Sequence, residues 1–127
     1  MNLLTIDDNI DTTEALTDYC NMHGIDSKVV NEGQKGLFEI QKREYDVIFL
    51  DIAIPEYTGF DILRQLKKQN VRHKSIVIIT ALNLKMEDFS DYVDVGVKEI
   101  LKKPIGLDCL DEVLQRNMKN VRQPFLS

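Results

Sequence analysis

The feature that most limits the folds open to this chain is a set of short apolar runs, each stopping abruptly at polar residues. Leu3-Leu4-Thr5-Ile6 stops at Asp7-Asp8, and Val47-Ile48-Phe49-Leu50 stops at Asp51. Ser75-Ile76-Val77-Ile78-Ile79 stops at Thr80-Ala81, and Ile100-Leu101 stops at Lys102-Lys103-Pro104. Runs this short, apolar throughout rather than at every second residue, read as strands buried on both faces. Ser27 to Val30 supplies a shorter fifth. Helical spacing fills the intervals. Residues 9–22 place Ala15, Leu16, Tyr19 and Cys20 on one face, with Gly24 as the stop; 33–42 carry Leu37, Phe38 and Ile40; 60–69 repeat Phe60, Leu63 and Leu66. Residues 85–95 predict a weaker helix, because Asp88, Ser90, Asp91 and Asp94 are mediocre formers. The last helix, 106–120, steps through Leu107, Leu110, Leu114 and Met118. Pro55 keeps the 52–59 segment from starting a helix early. Five strand–helix units in succession imply a doubly wound α/β fold, a five-stranded parallel sheet covered on both faces.

The bulk numbers narrow the functions. At 127 residues the chain is a single domain, predicted over 1–120 with a loose tail at 121–127. With 16 basic against 21 acidic residues the net charge is −5, which gives no reason to expect direct nucleic-acid binding. No apolar stretch approaches the ~20 residues that span a bilayer, and the N-terminus has no signal-peptide pattern. Met1 and the short tail read as a complete chain with no effector domain after the last helix, and the expected compartment is the cytoplasm. Cys20 and Cys109 both fall in predicted helices and are expected to be buried or half-buried thiols rather than a disulfide. His23 and His73 lie away from the strand ends that carry chemistry; both are expected to be solvated or structural.

In an open parallel sheet, functional groups collect outside the carboxyl ends of the strands. Here those ends deliver three carboxylates (Asp7, Asp8, Asp51), the Thr80 hydroxyl and the Lys103 ammonium. Carboxylates held close together repel unless a cation offsets them. Mg²⁺ suits a site of one or two carboxylates that leaves positions for water and phosphate oxygens. Lys103 adds a second counter-charge and Thr80 a donor, with Ala81 leaving room for a phosphoryl group to approach. Asp51 stands alone on the central strand, which makes it the better nucleophile for an acyl phosphate. The Asp7-Asp8 pair also suits the N-cap of the first helix, and the two roles are compatible.

At these residues the chain resembles a response regulator receiver domain of two-component signalling. The resemblance rests on Asp7-Asp8, Asp51, Pro55 with Gly59, Thr80-Ala81 and Lys103-Pro104, and it covers essentially the whole chain. It implies a flavodoxin-like three-layer sandwich with strand order 2-1-3-4-5. It further implies that Asp51 is the phosphoacceptor and that Asp8, Asp51 and the backbone carbonyl of Ala53 hold Mg²⁺, with Asp7 acting largely through water. Thr80 and Lys103 would contact the phosphoryl oxygens. The donor would be a phosphohistidine on a sensor histidine kinase or histidine phosphotransfer protein. Such a domain is a phosphoacceptor rather than an enzyme in the usual sense, although it assists its own phosphorylation and dephosphorylation.

Two positions depart from the family pattern. Ile100 stands where relatives carry a switching Tyr or Phe. Ala53 and Leu82 offer no polar group to position an attacking water, so slow-to-moderate autodephosphorylation is expected. The predicted output is protein binding by a stand-alone receiver through a face around Ile100 and Lys102, with a downstream target the sequence does not name. The alternative weighed against it is an interaction module that no longer depends on phosphate. A haloacid-dehalogenase-type enzyme fits less well, because its Asp-x-Asp pattern is absent. A flavodoxin fits least, because Asp7-Asp8-Asn9 would repel a flavin phosphate.

Overall fold

The computed structural model describes residues 2–117. The continuation of the last helix to 120, Met118 and the tail at 121–127 lie outside the described residues. Within them the elements alternate as β1 (Asn2–Ile6), α1 (Ile10–Met22), β2 (Asp26–Val30), α2 (Gly33–Lys42), β3 (Val47–Asp51), α3 (Gly59–Gln69) and β4 (Ile76–Thr80). A 3₁₀ segment (Met86–Val95), β5 (Val97–Lys102) and α4 (Leu107–Asn117) complete the order. All strand pairings are parallel, and the sheet order is β2-β1-β3-β4-β5, the doubly wound arrangement expected.

Two cores explain why the apolar runs are continuous. Leu4, Ile6, Ile48, Leu50, Ile76 and Ile78 face α2, α3 and the 3₁₀ segment, where Ile40, Ile62, Leu63, Leu66 and Phe89 meet them. Leu3, Val47, Phe49, Val77 and Ile79 face the other way, onto Leu16, Tyr19 and Cys20 of α1 and Leu110, Val113 and Leu114 of α4. Every residue of β3 and β4 is buried. Each apolar side chain among them contributes roughly 1.5–3 kcal/mol when fully withdrawn from water. Register then does the positioning. Ile6 pairs with Leu50, Asp51 with Ile79, and Thr80 with Lys102, so the polar strand ends emerge side by side.

Several local expectations need correction. The cap of α1 is Asn9, whose side chain accepts the Thr12 N–H at 2.9 Å, and not the acidic pair. Thr13 is buried beside Leu16, while Ala15 faces solvent. Cys109 is exposed, because α4 turns it away from the α1 side; Cys20 is buried, and burial pushes its thiol up to about 11. The segment expected as an α-helix over 85–95 is instead a 3₁₀ run, kinked at Phe89 (φ −113°, ψ 15°). There the Asp88 carboxylate accepts the Lys85 N–H at 2.7 Å, and such side-chain-to-backbone bonds compete with an α-helical ladder. Burial of Phe89, stacked on Phe60 with ring centroids 5.2 Å apart, anchors the segment in place of regular helix packing.

Candidate functional site at the carboxyl edge of the sheet

Asp7 leaves β1 with its backbone N–H donating to Val30 O at 3.0 Å, so the residue is tied to β2 as the strand ends. Its carboxylate points inward and is completely buried. Oδ1 accepts the Asn9 N–H at 2.9 Å, and Oδ2 lies 2.8 Å from Lys103 Nζ. That second contact is an ion pair without hydrogen-bond alignment, so Oδ2 is a buried polar atom lacking a hydrogen-bond partner. On β3, Asp51 is also buried. Its Oδ1 accepts the Ala53 N–H at 3.0 Å, and its Oδ2 accepts from Lys103 Nζ at 3.3 Å. One ammonium therefore joins the two buried carboxylates. Asp8, next along the chain, is exposed at the rim. One carboxylate oxygen from each of Asp7, Asp8 and Asp51 lies within 4.8 Å of the others.

The electrostatics follow from this enclosure. Burial drives the Asp7 carboxyl up to about 6, against the opposing pull of Lys103 and the Asn9 amide, while the Asp51 charge adds to the rise. Burial alone would lower the Lys103 ammonium; its two carboxylate neighbours outweigh that and hold it above its ordinary value. The cluster is thus short of positive charge, with three carboxylates gathered about one ammonium. A divalent cation with oxygen ligands would relieve that shortage.

Lys103 is placed by its backbone, whose N–H donates to Thr80 O at 2.8 Å just before a cis Lys103–Pro104 peptide. Thr80 is buried, and its Oγ1 accepts the Leu82 N–H at 2.9 Å, which leaves the hydroxyl proton for another acceptor. Ala53 and Leu82 are exposed on the loops that follow Asp51 and Thr80, Leu82 by 51%. Ile100 is half-buried against the core shared by α3 and the 3₁₀ segment, and Lys102 is exposed, donating to Asn83 Oδ1. Asp7, Asp8, Asp51 and Lys103 thus converge, Thr80 adjoins them through the strand register, and Ile100 and Lys102 lie on the β5 flank.

Sequence reasoning missed four supporting residues. Asn9 fixes Asp7 and caps α1 together, a role readable from Asn directly before a helical pattern. Asn31 Nδ2 donates to Asp7 O at 3.0 Å, which nothing in the sequence signals. Thr58 and Asp61 form a reciprocal capping box that starts α3 and closes the loop after Asp51. Gly59 is required there: a Cβ would lie 2.7 Å from Asp51 O and 2.6 Å from Ile52 Cδ1.

Comparison with known proteins agrees with this geometry. The family model described as "Response regulator receiver domain" matches residues 3–115, and the chain belongs to that family. It is a receiver domain of two-component signalling, and receiver domains bind Mg²⁺ in an acidic pocket. Among curated proteins it is 27% identical to the transcriptional regulatory protein CiaR of Streptococcus pneumoniae, over 94% of this chain and 52% of that protein. It is 33% identical to the aerobic respiration control sensor protein ArcB of Escherichia coli, over 69% of this chain and 11% of that one. The chain therefore spans about half of the first relative's length and about a tenth of the second's. Among solved structures, the receiver domain of Francisella response regulator 1452 superposes with a TM-score of 0.80 at 28% identity, covering 95% of this chain and 98% of that chain. The receiver domain of sensor histidine kinase PA1611 from Pseudomonas aeruginosa has the same fold (TM-score 0.76, 21% identity, 93% and 97% covered). That structure has magnesium coordinated in its active site cleft. No helix among the described residues is long and apolar enough to cross a membrane.

Proposed function

We propose that this receiver accepts a phosphoryl group on Asp51 from a phosphohistidine and signals through phosphorylation-dependent protein binding. The observation that carries the reading is the Lys103 ammonium held between two buried carboxylates, 2.8 Å from Asp7 and 3.3 Å from Asp51. A structural ion pair needs one carboxylate; a second sharing the same ammonium suits a phosphoryl-transfer site. Asp7, Asp8 and Asp51, with the Ala53 carbonyl, would hold Mg²⁺, and the close approach of one oxygen from each aspartate favours a more direct part for Asp7 than water mediation. When bound, Mg²⁺ supplies charge neutralisation for the carboxylates and the phosphoryl oxygens.

The residues' own steps follow. An Asp51 carboxylate oxygen attacks phosphorus, the phosphorus–nitrogen bond of the donor breaks, and the electron pair leaves on the imidazole nitrogen. Lys103 then turns to the new phosphoryl oxygens, released from Asp51 as its carboxylate becomes an ester-like acyl group. The Thr80 hydroxyl donates to the same group, drawing its bonded neighbour Leu82 with it. Ala53 and Leu82 supply no side chain to activate water, so autodephosphorylation is slow to moderate. Output runs through the flank around Ile100 and Lys102, and the partners are a sensor histidine kinase or histidine phosphotransfer protein and a downstream protein.

Transfer of labelled phosphate from a phosphohistidine donor in Mg²⁺ tests the reading. Wild type is expected to become labelled, Asp51→Asn to remain unlabelled, and chelation to abolish transfer. Labelling of Asp51→Asn at the wild-type level would overturn it, and a phosphorylated lifetime of seconds would overturn the claim about hydrolysis. A partner that binds wild type and Asp51→Asn equally would favour a phosphate-independent module.

A further inference from the structure

The β2–α2 flank carries a feature that phosphoryl chemistry does not use. Along α2, Lys35, Phe38 and Lys42 follow one another at helical spacings of three and four, which places them on one exposed stripe. Phe38 is 63% exposed, a large ring left in water beside a well-filled core, and the Lys42 ammonium sits 6.0 Å from its centroid. Across from the stripe runs β2, which among the described residues is paired with β1 alone and has its other edge open. Between them lies a groove of about 390 Å³ whose floor includes Val29 and Val30.

The charge of this groove is opposite to that of the chain. Lys28, Lys35 and Lys42 line it, while of its two acids Glu39 is buried and already engaged by the Tyr45 hydroxyl at 2.6 Å and Lys28 at 3.1 Å. Glu32, paired with Lys35 at 2.8 Å, is the exposed acid. Lys28 is balanced by Glu39 at 3.1 Å and Lys35 by Glu32, so three ammonium groups meet two carboxylates and Lys42 is left as the uncompensated cation of the groove, a small positive excess on a chain of net charge −5. An open strand edge offers backbone donors and acceptors to an extended peptide, alternate side chains of which would fall toward α2. An exposed aromatic ring beside the uncompensated Lys42 ammonium, with Lys35 held only by a solvated ion pair, matches an apolar anchor next to acids.

We propose that this groove receives an acidic, extended segment of a partner protein, laid along β2 with an apolar side chain on Phe38. The surface is separate from the Ile100 and Lys102 flank, so a receiver could hold a partner here whether or not Asp51 carries phosphate. A bound partner would raise the effective concentration of a donor or target tethered to it.

The test uses a fluorescently labelled peptide of alternating Glu and Val with a central Phe, titrated with the full chain. Saturable binding is expected, and none is expected for the same peptide with Lys in place of Glu. The double variant Lys35→Glu with Lys42→Glu should weaken binding by at least about tenfold, and Phe38→Ser by a similar factor. These side chains are exposed, so the variants should melt as wild type does, and phosphoryl acceptance on Asp51 should be unchanged. Amide shifts on peptide addition should cluster in Asp26–Val30 and Gly33–Lys42. Absence of saturation, indifference to the charge reversal, or shifts confined to the Ile100 flank would overturn the proposal. So would displacement by single-stranded RNA with greater affinity than the peptide, which would make this a nucleic-acid surface, or self-association lost on Phe38→Ser, which would make it a dimer interface.

Discussion

The corner at Asp7, Asp51 and Lys103 and the flank formed by Met86–Val95 are held in place by different physics. In the corner, charge does the positioning: each carboxylate is fixed by a backbone N–H on one oxygen and faces a shared ammonium on the other. Its geometry is specific, but removing one partner strands buried charge. In the flank, a single buried ring stacked on Phe60 anchors a run of mostly exposed residues, including Met86, Val93 and four acids. The difference separates two requirements of a switch. Under the function proposed above, the site must hold its atoms closely, whereas an output surface on this flank must be able to change shape at small cost.

Removing the anchor should produce the largest effect. Phe89→Ala is expected to lose about 3–5 kcal/mol in urea unfolding, since a fully buried aromatic leaves a cavity that the neighbouring Phe60 and Tyr92 fill only in part. A loss under about 1 kcal/mol would mean that the segment is held by something other than this stack.

Lys103→Met should come next, at about 2–4 kcal/mol near neutral pH without Mg²⁺, because two buried carboxylates are left without their cation. The loss should shrink on acidification, as protonation removes the repulsion. The sign of the pH dependence is set by Asp7. Its folded value of about 6 lies above the ordinary carboxylate range, so the folded chain binds the proton more strongly across that window. The associated stability is fully present below that range and is lost as pH rises through the folded value. Asp7→Asn should therefore stabilise the Mg²⁺-free protein above pH 6, by about 1–3 kcal/mol, with no gain below the ordinary carboxylate range. The same variant should lose the stabilisation that added Mg²⁺ gives wild type. Urea denaturation across pH, with chelator and with Mg²⁺, checks both statements, and equal curves for wild type and variant would refute the raised Asp7 carboxyl.

The same contrast governs how much could be read from the sequence. Strands β1, β3 and β4 were legible because burial on both faces requires continuous apolar runs, and the polar residues gathered at the carboxyl edge were legible because they end those runs. What the sequence withheld was which of two adjacent aspartates points inward. In a strand with one solvated face, alternation would answer that, but Leu3 to Ile6 are all buried and carry no phase. Only the tie from Asp7 N–H to Val30 O and the cap at Asn9 decide it. The 3₁₀ segment was visible as weak helix propensity but not as a different helix, because its cause is a tertiary anchor combined with local bonds from Asp88. Cys109 was misplaced because its helix buries a narrow stripe of Leu110, Val113 and Leu114 and leaves its neighbours in water.

Lys67 offers the finest probe of the contrast. Its ammonium on α3 donates to Asp91 O at 2.5 Å and lies 3.7 Å from the Asp94 carboxylate, crossing from regular helix to 3₁₀ segment. The side chain is about half exposed, so solvent screens the ion pair, and Lys67→Met should change global stability by only about 0.2–1 kcal/mol. The backbone carbonyl it leaves behind belongs to the weaker region, however, and local opening need not follow global unfolding. Hydrogen exchange is therefore expected to speed up in Met86–Val95 while the amides of β1 and β3 keep their protection. Uniform acceleration across both regions would show that the flank and the corner unfold as one unit, and the distinction between a rigid site and a deformable reporter would fail.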